Sequence, residues 1–127
     1  MNLQTAFEVA QHVVRSTTPE LLEAEGVLAS AVDSNNPDAW FPWGSVHSEL
    51  DMRHRGAKRG VRATQTKVGK ARQELEKLLS LSTQGRTVEA ARKKLALAEA
   101  KFQDAQQRLA GLSVRAPKPR RRGVFYV

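Results

Sequence analysis

Apolar residues in the second half of the chain recur every seven positions, the repeat of a helix that packs along one apolar stripe. The two apolar positions of each heptad, a and d, are three residues apart, and alanine occupies most of the d positions. The a series is Val88, Leu95, Phe102 and Leu109, and the d series is Ala91, Ala98, Ala105 and Leu112. This pattern predicts a long helix from Thr87 to about Gly111.

An earlier series with the same period predicts a partner for this helix. Its a positions are Val61, Val68 and Leu75, and its d positions are Leu50, Ala57, Thr64, Ala71 and Leu78. Because the connection from Ser80 to Thr87 is short, the stripes can pack together only if the helices are antiparallel. Pairing residues whose numbers add to 166 places a large side chain opposite a small one, as in Leu75 with Ala91.

The residues before this hairpin predict two short helices. The first covers Asn2 to Arg15, and the second begins with Thr18 as its N-cap and Pro19 in its first turn and ends near Val32. The predicted fold class is therefore all-α: a long antiparallel helical hairpin, coiled-coil-like, with two short N-terminal helices and an extended basic C-terminal tail. The predicted domains are residues 1–44, 45–112 and 113–127.

Prolines and asparagines from Asp33 to Gly44 predict a loop, after which Ser45 would cap the long helix. The loop contains Trp40, Phe41 and Trp43. These aromatic side chains either cap the base of the hairpin and hold the first two helices, or anchor the chain in a partner's pocket, because tryptophan is enriched at interface hot spots.

Glycines interrupt the first helix of the hairpin at Gly56, Gly60 and Gly69. Each costs about 1 kcal/mol relative to alanine inside a helix. Their presence predicts either the close approach of another backbone or a bend or break near residues 53–60.

The tail after Gly111 is predicted to be extended, because Pro117 and Pro119 exclude a helix there. We expect it to be disordered alone in solution and to attach to a neighbouring chain as an added strand or an apolar plug. Its partner-anchoring candidates are Val124, Phe125 and Tyr126.

The net charge of +8 is unevenly distributed along the chain. Residues 1–45 contain six acids and one base, whereas residues 46–127 contain twenty bases and seven acids. The acidic front could pack against the basic hairpin of the same or a neighbouring copy. An excess of bases of this size also favours nucleic acid or an acidic protein surface as a partner.

Many of the bases fall at the g positions of the heptads, which face each other across an antiparallel pair. Glu74 is then expected to pair with Lys94, whereas Lys67 meets Lys101. This positive edge is a solvated face, a site for an acidic protein surface, or a site for a phosphate backbone bound without sequence readout. The candidate anion- or partner-binding residues are Arg53, Lys67, Lys101, Arg108, Arg115, Arg120, Arg121 and Arg122.

No residue pattern predicts a chemistry. The chain has no cysteine, which excludes disulfides and cysteine metal ligands. His47, Asp51 and His54 share one helical face but lack a fourth ligand, so we predict no metal site. We also expect no catalytic residues, no cofactor, no small-molecule substrate and no membrane partner, and a location in the cytoplasm or a virus particle without secretion.

Together these features predict a non-enzymatic structural or assembly component of a larger multi-protein complex, for which a bacteriophage virion is one setting. Its attachments would be the basic edge, the aromatic loop and the tail. The alternative is an accessory protein that binds nucleic acid without sequence specificity. A third interpretation is a small inhibitor that blocks an enzyme with its hairpin.

Overall fold

A computed structural model describes residues 1–81 and 85–120 of the chain. This part of the chain contains four α-helices, a 3-10 helix and no strand, which confirms the all-α prediction. The α-helices are α1 (Leu3–Gln11), α2 (Thr18–Asp33), α3 (Trp40–Ser80) and α4 (Arg86–Ser113), and the 3-10 helix is Pro37–Ala39. None of the helices in this part has both the length and the hydropathy needed to span a lipid bilayer.

The start of α2 lies one residue earlier than predicted. Thr17, not Thr18, is the N-cap, and its hydroxyl accepts a hydrogen bond of 3.3 Å from the Glu20 N–H. The same hydroxyl donates to the Glu20 carboxylate over 2.9 Å. This arrangement requires a threonine three residues before a glutamate, a spacing that Thr17 has and Thr18 lacks.

The predicted loop from Asp33 to Gly44 is wrong over most of its length. The chain reverses at Asn35, which has a φ of 68°, and Asn36 caps the 3-10 helix by accepting a hydrogen bond from the Asp38 N–H. The helix α3 then begins at Trp40, so Ser45 lies inside it and is not its cap. Pro42 is tolerated because it falls in the first turn, where no backbone N–H is needed for the helix.

Neither a break in α3 nor the close approach of another backbone to its glycines is found in the part of the chain that the structure describes. The helix continues from Trp40 to Ser80 without a break. A Cβ atom added at Gly56, Gly60 or Gly69 would meet nothing within 4 Å, so no backbone among residues 1–81 and 85–120 requires a glycine at these positions.

Contacts divide the chain into two compact units. The first unit is Met1–His54 with Leu112–Val127, and the second unit is Arg55–Gly111. This division differs from the predicted domains, because residues 45–54 and 113–120 belong with the N-terminal helices. The core of the first unit comes from α1, α2 and the beginning of α3, and its largest fully buried aliphatic side chains are Leu21, Leu28, Val32, Val46 and Leu50.

The second unit consists of parts of the long helix α3 and of α4, packed along the predicted stripe. Every predicted a and d residue within this unit is buried or half-buried. Two ion pairs join the helices in the order expected for antiparallel partners. Lys94 Nζ donates to Glu74 Oε2 over 3.1 Å, as predicted, and Arg72 lies 3.6 Å from Glu99.

Candidate functional site

A groove between α3 and α4 in the second unit brings two of the predicted site residues together. It has a volume of about 340 Å³. Its walls and floor are Lys67, Lys70, Ala71, Lys94, Leu97, Ala98 and Lys101, and we call it the lysine groove. The α3 residues lie three and four positions after Lys67, and the α4 residues lie three, four and seven positions after Lys94, which places each set on one helical face.

The floor of the lysine groove is apolar. Ala71 is buried and Ala98 is half-buried, whereas Leu97 stands between lysines with 59% of its surface exposed. Both alanines are d positions of the predicted stripe, so their small side chains leave a depression beside the seam. The lysine groove is therefore an apolar depression with lysine side chains along its edges.

The charges around the lysine groove are mostly uncompensated. Lys94 is paired with Glu74. Among residues 1–81 and 85–120, Lys67, Lys70 and Lys101 have no carboxylate within 4.0 Å. The groove therefore presents three cations to solvent around an apolar floor.

The groove on the other side of the seam is different in charge. It has a volume of about 420 Å³, and its ionic residues are Arg72 and Glu99, which pair with each other. The remaining polar lining is uncharged: Gln65, Gln103 and Gln106. The positive charge of the second unit is therefore unequal on its two sides.

Arg115, a predicted site residue, lies instead in an ionic cluster of the first unit. Its Nε donates to Glu25 Oε1 over 3.1 Å, its Nη2 also contacts Glu25 Oε2, and its Nη1 donates to Asp51 Oδ1 over 2.6 Å. Glu25 is only 1% exposed. We call Glu25, His47, Asp51 and Arg115 the Arg115 cluster. A buried carboxylate of this kind requires a cation beside it, so Arg115 stabilises the fold.

Within the Arg115 cluster, His47 contacts both carboxylates, and Trp43 packs against its ring. His47 Nδ1 lies 2.9 Å from Glu25 Oε2, and its Nε2 lies 3.3 Å from Asp51 Oδ2. The ring of Trp43 stacks on the imidazole with their centroids 4.6 Å apart. Among the described residues, no group of three or more histidine or acidic side chains is placed to hold a metal ion.

The pKa of Asp51 is lowered from its ordinary value. The largest cause is the hydrogen bond from Arg115, which favours the ionised carboxylate, with smaller contributions from the charges of His47, Arg115 and Lys118. Partial burial opposes this shift. Conversely, the hydrogen bond to Glu25 raises the pKa of Arg115, followed by that to Asp51. Asp51 and Arg115 therefore hold each other in the charged form.

Arg53 also has partners inside the first unit. Its Nη2 donates to the carbonyl oxygens of Val13 (3.1 Å) and Ser16 (2.8 Å), and its Nη1 donates to Thr18 Oγ1 over 3.0 Å. Its Nε donates to Glu49 over 3.0 Å. One guanidinium thus binds the connection between α1 and α2. The geometry assigns Arg53 a structural role and leaves little of it for a partner.

The predicted anchor residues differ in exposure. Trp40 and Trp43 are half-buried, and their ring centroids are 5.7 Å apart. The indole Nε1 of Trp43 is buried and has no hydrogen-bond partner among the described residues. Phe41 is 71% exposed and lines a shallow groove with Phe7 and Pro42. Of the three aromatic residues, Phe41 has the exposure that an anchor needs.

The remaining predicted site residues are placed as follows. Arg108 is exposed on α4, and Arg120 is exposed at the end of the described tail, where its backbone N–H donates to Asp33 Oδ1 over 2.7 Å. The other five lie outside the described residues: Arg121, Arg122, Val124, Phe125 and Tyr126. The structure thus brings together Lys67 and Lys101 in one groove, whereas Arg53 and Arg115 are engaged elsewhere.

Sequence reasoning missed Glu25 as a structural group, although a signal exists. Leu21, Leu28 and Val32 form the apolar stripe of α2, and Glu25 falls on the same face, four residues after Leu21. A carboxylate within an apolar stripe predicts a buried charge that needs a cation. The apolar stripe alone does not identify which basic residue of the chain supplies that cation.

Of these two charged sites, the lysine groove has cations without a carboxylate partner among the described residues, whereas the Arg115 guanidinium is paired with Glu25 and Asp51. We therefore take the lysine groove as the candidate functional site. Comparisons of the chain with protein-family models, curated protein sequences and solved structures found no match.

Proposed function

We propose that the chain is a non-enzymatic structural or assembly component of a larger multi-protein complex, with a bacteriophage virion as one setting. The observation that carries this proposal is the incomplete burial of the second unit. Its two helices leave a half-exposed apolar stripe and the lysine groove available to a further surface.

The contrast between the two cores supports the proposal. In the first unit, Leu21, Leu28 and Leu50 are fully buried. In the second unit, the large seam residues Leu75, Leu95 and Phe102 remain half-exposed. Three further leucines near this seam have about half or more of their surface exposed: Leu79, Leu81 and Leu97. Because burial of apolar area drives most protein association, a third surface along this seam would stabilise the unit.

We further propose that the second unit is an antiparallel coiled coil. The a and d residues are less exposed than the other positions of the same helices, and the Glu74–Lys94 pair joins two g positions. Both features are expected when each apolar residue inserts between residues of the facing helix. Cysteines introduced by the double substitution Ala71→Cys and Leu95→Cys should form a crosslink, whereas Ala71→Cys with Phe102→Cys should not.

The ionic groups of the first unit support a structural role over a catalytic one. Glu25, His47 and Asp51 contact Arg115 or one another, so their polar atoms are already engaged within the fold. A general acid or base would instead need a proton-transfer position open to substrate. The proposal assigns this cluster to folding and the second unit to assembly.

The mass of the native species tests the assembly proposal. The full chain is purified from its source under gentle conditions, and the mass is measured by light scattering and native mass spectrometry. We expect a discrete species much heavier than the 14.1 kDa chain, with a constant ratio of partner to chain. A 14.1 kDa monomer would contradict the proposal.

Binding to nucleic acid is the second candidate, favoured by the twenty bases and seven acids of residues 46–127. If it is correct, the chain binds duplex DNA of random sequence, and the logarithm of the binding constant falls steeply and linearly with the logarithm of salt concentration. Absence of binding at low salt would exclude this candidate.

A further inference from the structure

We propose that the lysine groove is a docking site for an acidic amphipathic helix of a partner protein. This inference rests on the proposed function, since it requires that the chain assembles with other proteins, and it specifies the chemistry of the partner. Such a helix would place an apolar stripe on Ala71, Leu97 and Ala98 and carboxylates beside the lysines.

The shape of the groove suits a helix. Two packed helices present a continuous furrow beside their seam, and side chains of a third helix can fill it by ridge-and-groove packing. Ala71 and Ala98 keep the floor low, which allows a close approach. Leu97, which is 59% exposed, stands as a ridge that a partner's apolar residues can enclose.

The charges suit acidic residues at heptad spacing. Lys94 and Lys101 are seven residues apart on α4, which corresponds to about 10.5 Å along the helix. A partner helix with glutamate or aspartate at the same interval would place one acid against Lys101 and another beside Lys94, which it would share with Glu74. Lys67 and Lys70 on the opposite wall would contact acids on its other flank. Complementary charges on both sides of an apolar stripe fix the orientation and position of a docked helix.

The lining favours a protein helix over a phosphate backbone. A phosphate backbone would leave Leu97 against charged oxygens, whereas an apolar stripe would cover it. All four bases of the groove are lysines, although arginines are frequent elsewhere on α3. Lysine stems pack along apolar surfaces, and it is arginine whose planar group suits bidentate phosphate recognition.

A designed peptide and a DNA duplex test the inference on the full chain. The peptide has about 21 residues, long enough to form a helix when docked, with leucine and alanine in its stripe and glutamate on both flanks. The duplex has about 20 base pairs of random sequence, sufficient for several phosphate contacts. Binding of each labelled probe is measured by fluorescence anisotropy, and circular dichroism establishes that each variant is folded.

Two triple variants with the same change of net charge distinguish binding of the peptide at the lysine groove from a general effect of the chain's positive charge. The groove variant is Lys67→Glu, Lys70→Glu and Lys101→Glu, and the matched control is Arg59→Glu, Arg62→Glu and Lys93→Glu, at exposed positions of the same helices. We expect the groove variant to weaken peptide binding by about tenfold or more. The control should weaken it by less than about threefold, because those charges act through solvent.

Leu97→Lys distinguishes the two classes of partner by the direction of its effect. Adding a cation should strengthen binding of DNA, whereas loss of the apolar ridge should weaken binding of the peptide. Weaker peptide binding supports the inference. Stronger binding of the peptide by Leu97→Lys would overturn the inference, as would equal losses of peptide binding in the two triple variants. For the wild-type chain, no binding of the peptide at low salt, or tighter binding of the duplex than of the peptide, would also overturn it. Self-association of the free chain that the groove variant abolishes would overturn it in favour of a second copy.

The native mass separates failure of this inference from failure of the proposed function. If the wild-type chain is recovered as a monomer, the proposed function fails. If the groove variant is recovered in the same complex as wild type, the assembly function stands and the docking site is elsewhere.

Discussion

The guanidinium of Arg115 lies 2.6 Å from the carboxylate of Asp51, although 64 residues separate them in sequence. The same guanidinium donates to Glu25, which is almost completely buried. Arg115 therefore connects α2, α3 and the segment after α4 within the first unit. A residue of this kind is expected to control stability more than any exposed base of the chain.

Removing Arg115 leaves the Glu25 carboxylate buried, with His47 as its one remaining side-chain partner among the described residues. Replacing one member of a buried ion pair costs about 3 kcal/mol, because the remaining charge is uncompensated. We expect Arg115→Met to lower the free energy of unfolding by about this amount, as measured by urea denaturation. Arg108→Met, at an exposed position of α4, should change it by less than about 0.5 kcal/mol.

A second substitution tests whether the uncompensated charge is the cause. The double variant Glu25→Gln with Arg115→Met should be more stable than Arg115→Met alone, since its buried group is uncharged. Equal stability of Arg115→Met and wild type would show that Glu25 finds another partner.

The lowered pKa of Asp51 predicts a dependence of stability on acid. The pKa of this carboxyl is lower in the folded state than its ordinary value of 3.8, chiefly because of the hydrogen bond from Arg115. The stabilisation is therefore present above pH 3.8 and is lost as the pH falls through the lower folded value. Its size is small, about 0.5 kcal/mol, because 46% of the Asp51 side chain is exposed and solvent screens the pair.

Urea titrations of Asp51→Asn and wild type at several pH values measure this contribution. The difference in free energy of unfolding should be largest near neutral pH and should diminish as the pH falls below 3.8 and through the lower folded pKa of Asp51. Asp104→Asn, an exposed position of α4, is the control and should show a smaller change with pH. A difference for Asp51→Asn that is constant across the range would contradict the prediction.

Arg53 is predicted to hold the connection between α1 and α2. Arg53→Met removes hydrogen bonds to Val13, Ser16 and Thr18, and two of the acceptors are backbone carbonyls. We expect a loss of about 2 kcal/mol, together with faster hydrogen exchange in α1. Arg53→Lys should restore little of the loss, because one ammonium cannot span these acceptors. Arg55→Met, an exposed neighbour, should leave exchange in α1 unchanged.

The α3 glycines are predicted to be replaceable with a gain in stability. Alanine at Gly56, Gly60 or Gly69 would meet open space and would restrict the unfolded chain, so each substitution should raise the free energy of unfolding by about 0.7 kcal/mol. Gly85→Ala is the opposite control, because Gly85 has a φ of 86° and alanine there should destabilise. Lower melting temperatures for the α3 variants would contradict this prediction.

The helical part of the fold could be predicted because its signal is local and repeated. Each heptad of α4 contributes the same information, so single exceptions do not hide the period. Glu74 and Lys94 could be paired before their contact was known, because the spacing of the stripes determines which g positions face each other. The beginning of α3 was predicted incorrectly, because Pro42 suggests a break to local reasoning and yet is tolerated in a first helical turn.

The candidate site could be predicted only in part. Lys67 and Lys101 follow from the heptads, but Leu97 and Lys70 lie at c positions, which the a and d stripes do not include. Arg53 and Arg115 also fall at g positions, as Lys67 and Lys101 do. What distinguishes them is that they lie in the first unit, where their guanidinium groups have partners. The partner of Glu25 lies 90 residues away, and local patterns do not identify contacts at that separation.

The composition of the first unit also has a consequence for synthesis. Its helices α1 and α2 emerge from the ribosome before α3 and α4, whereas Arg115 emerges only after α4. Until it arrives, Glu25 lacks the cation that allows its burial. The contacts between α3 and α4 are nearer in sequence and can form earlier. We therefore expect a nascent chain truncated before Arg115 to contain a folded second unit and an incomplete first unit.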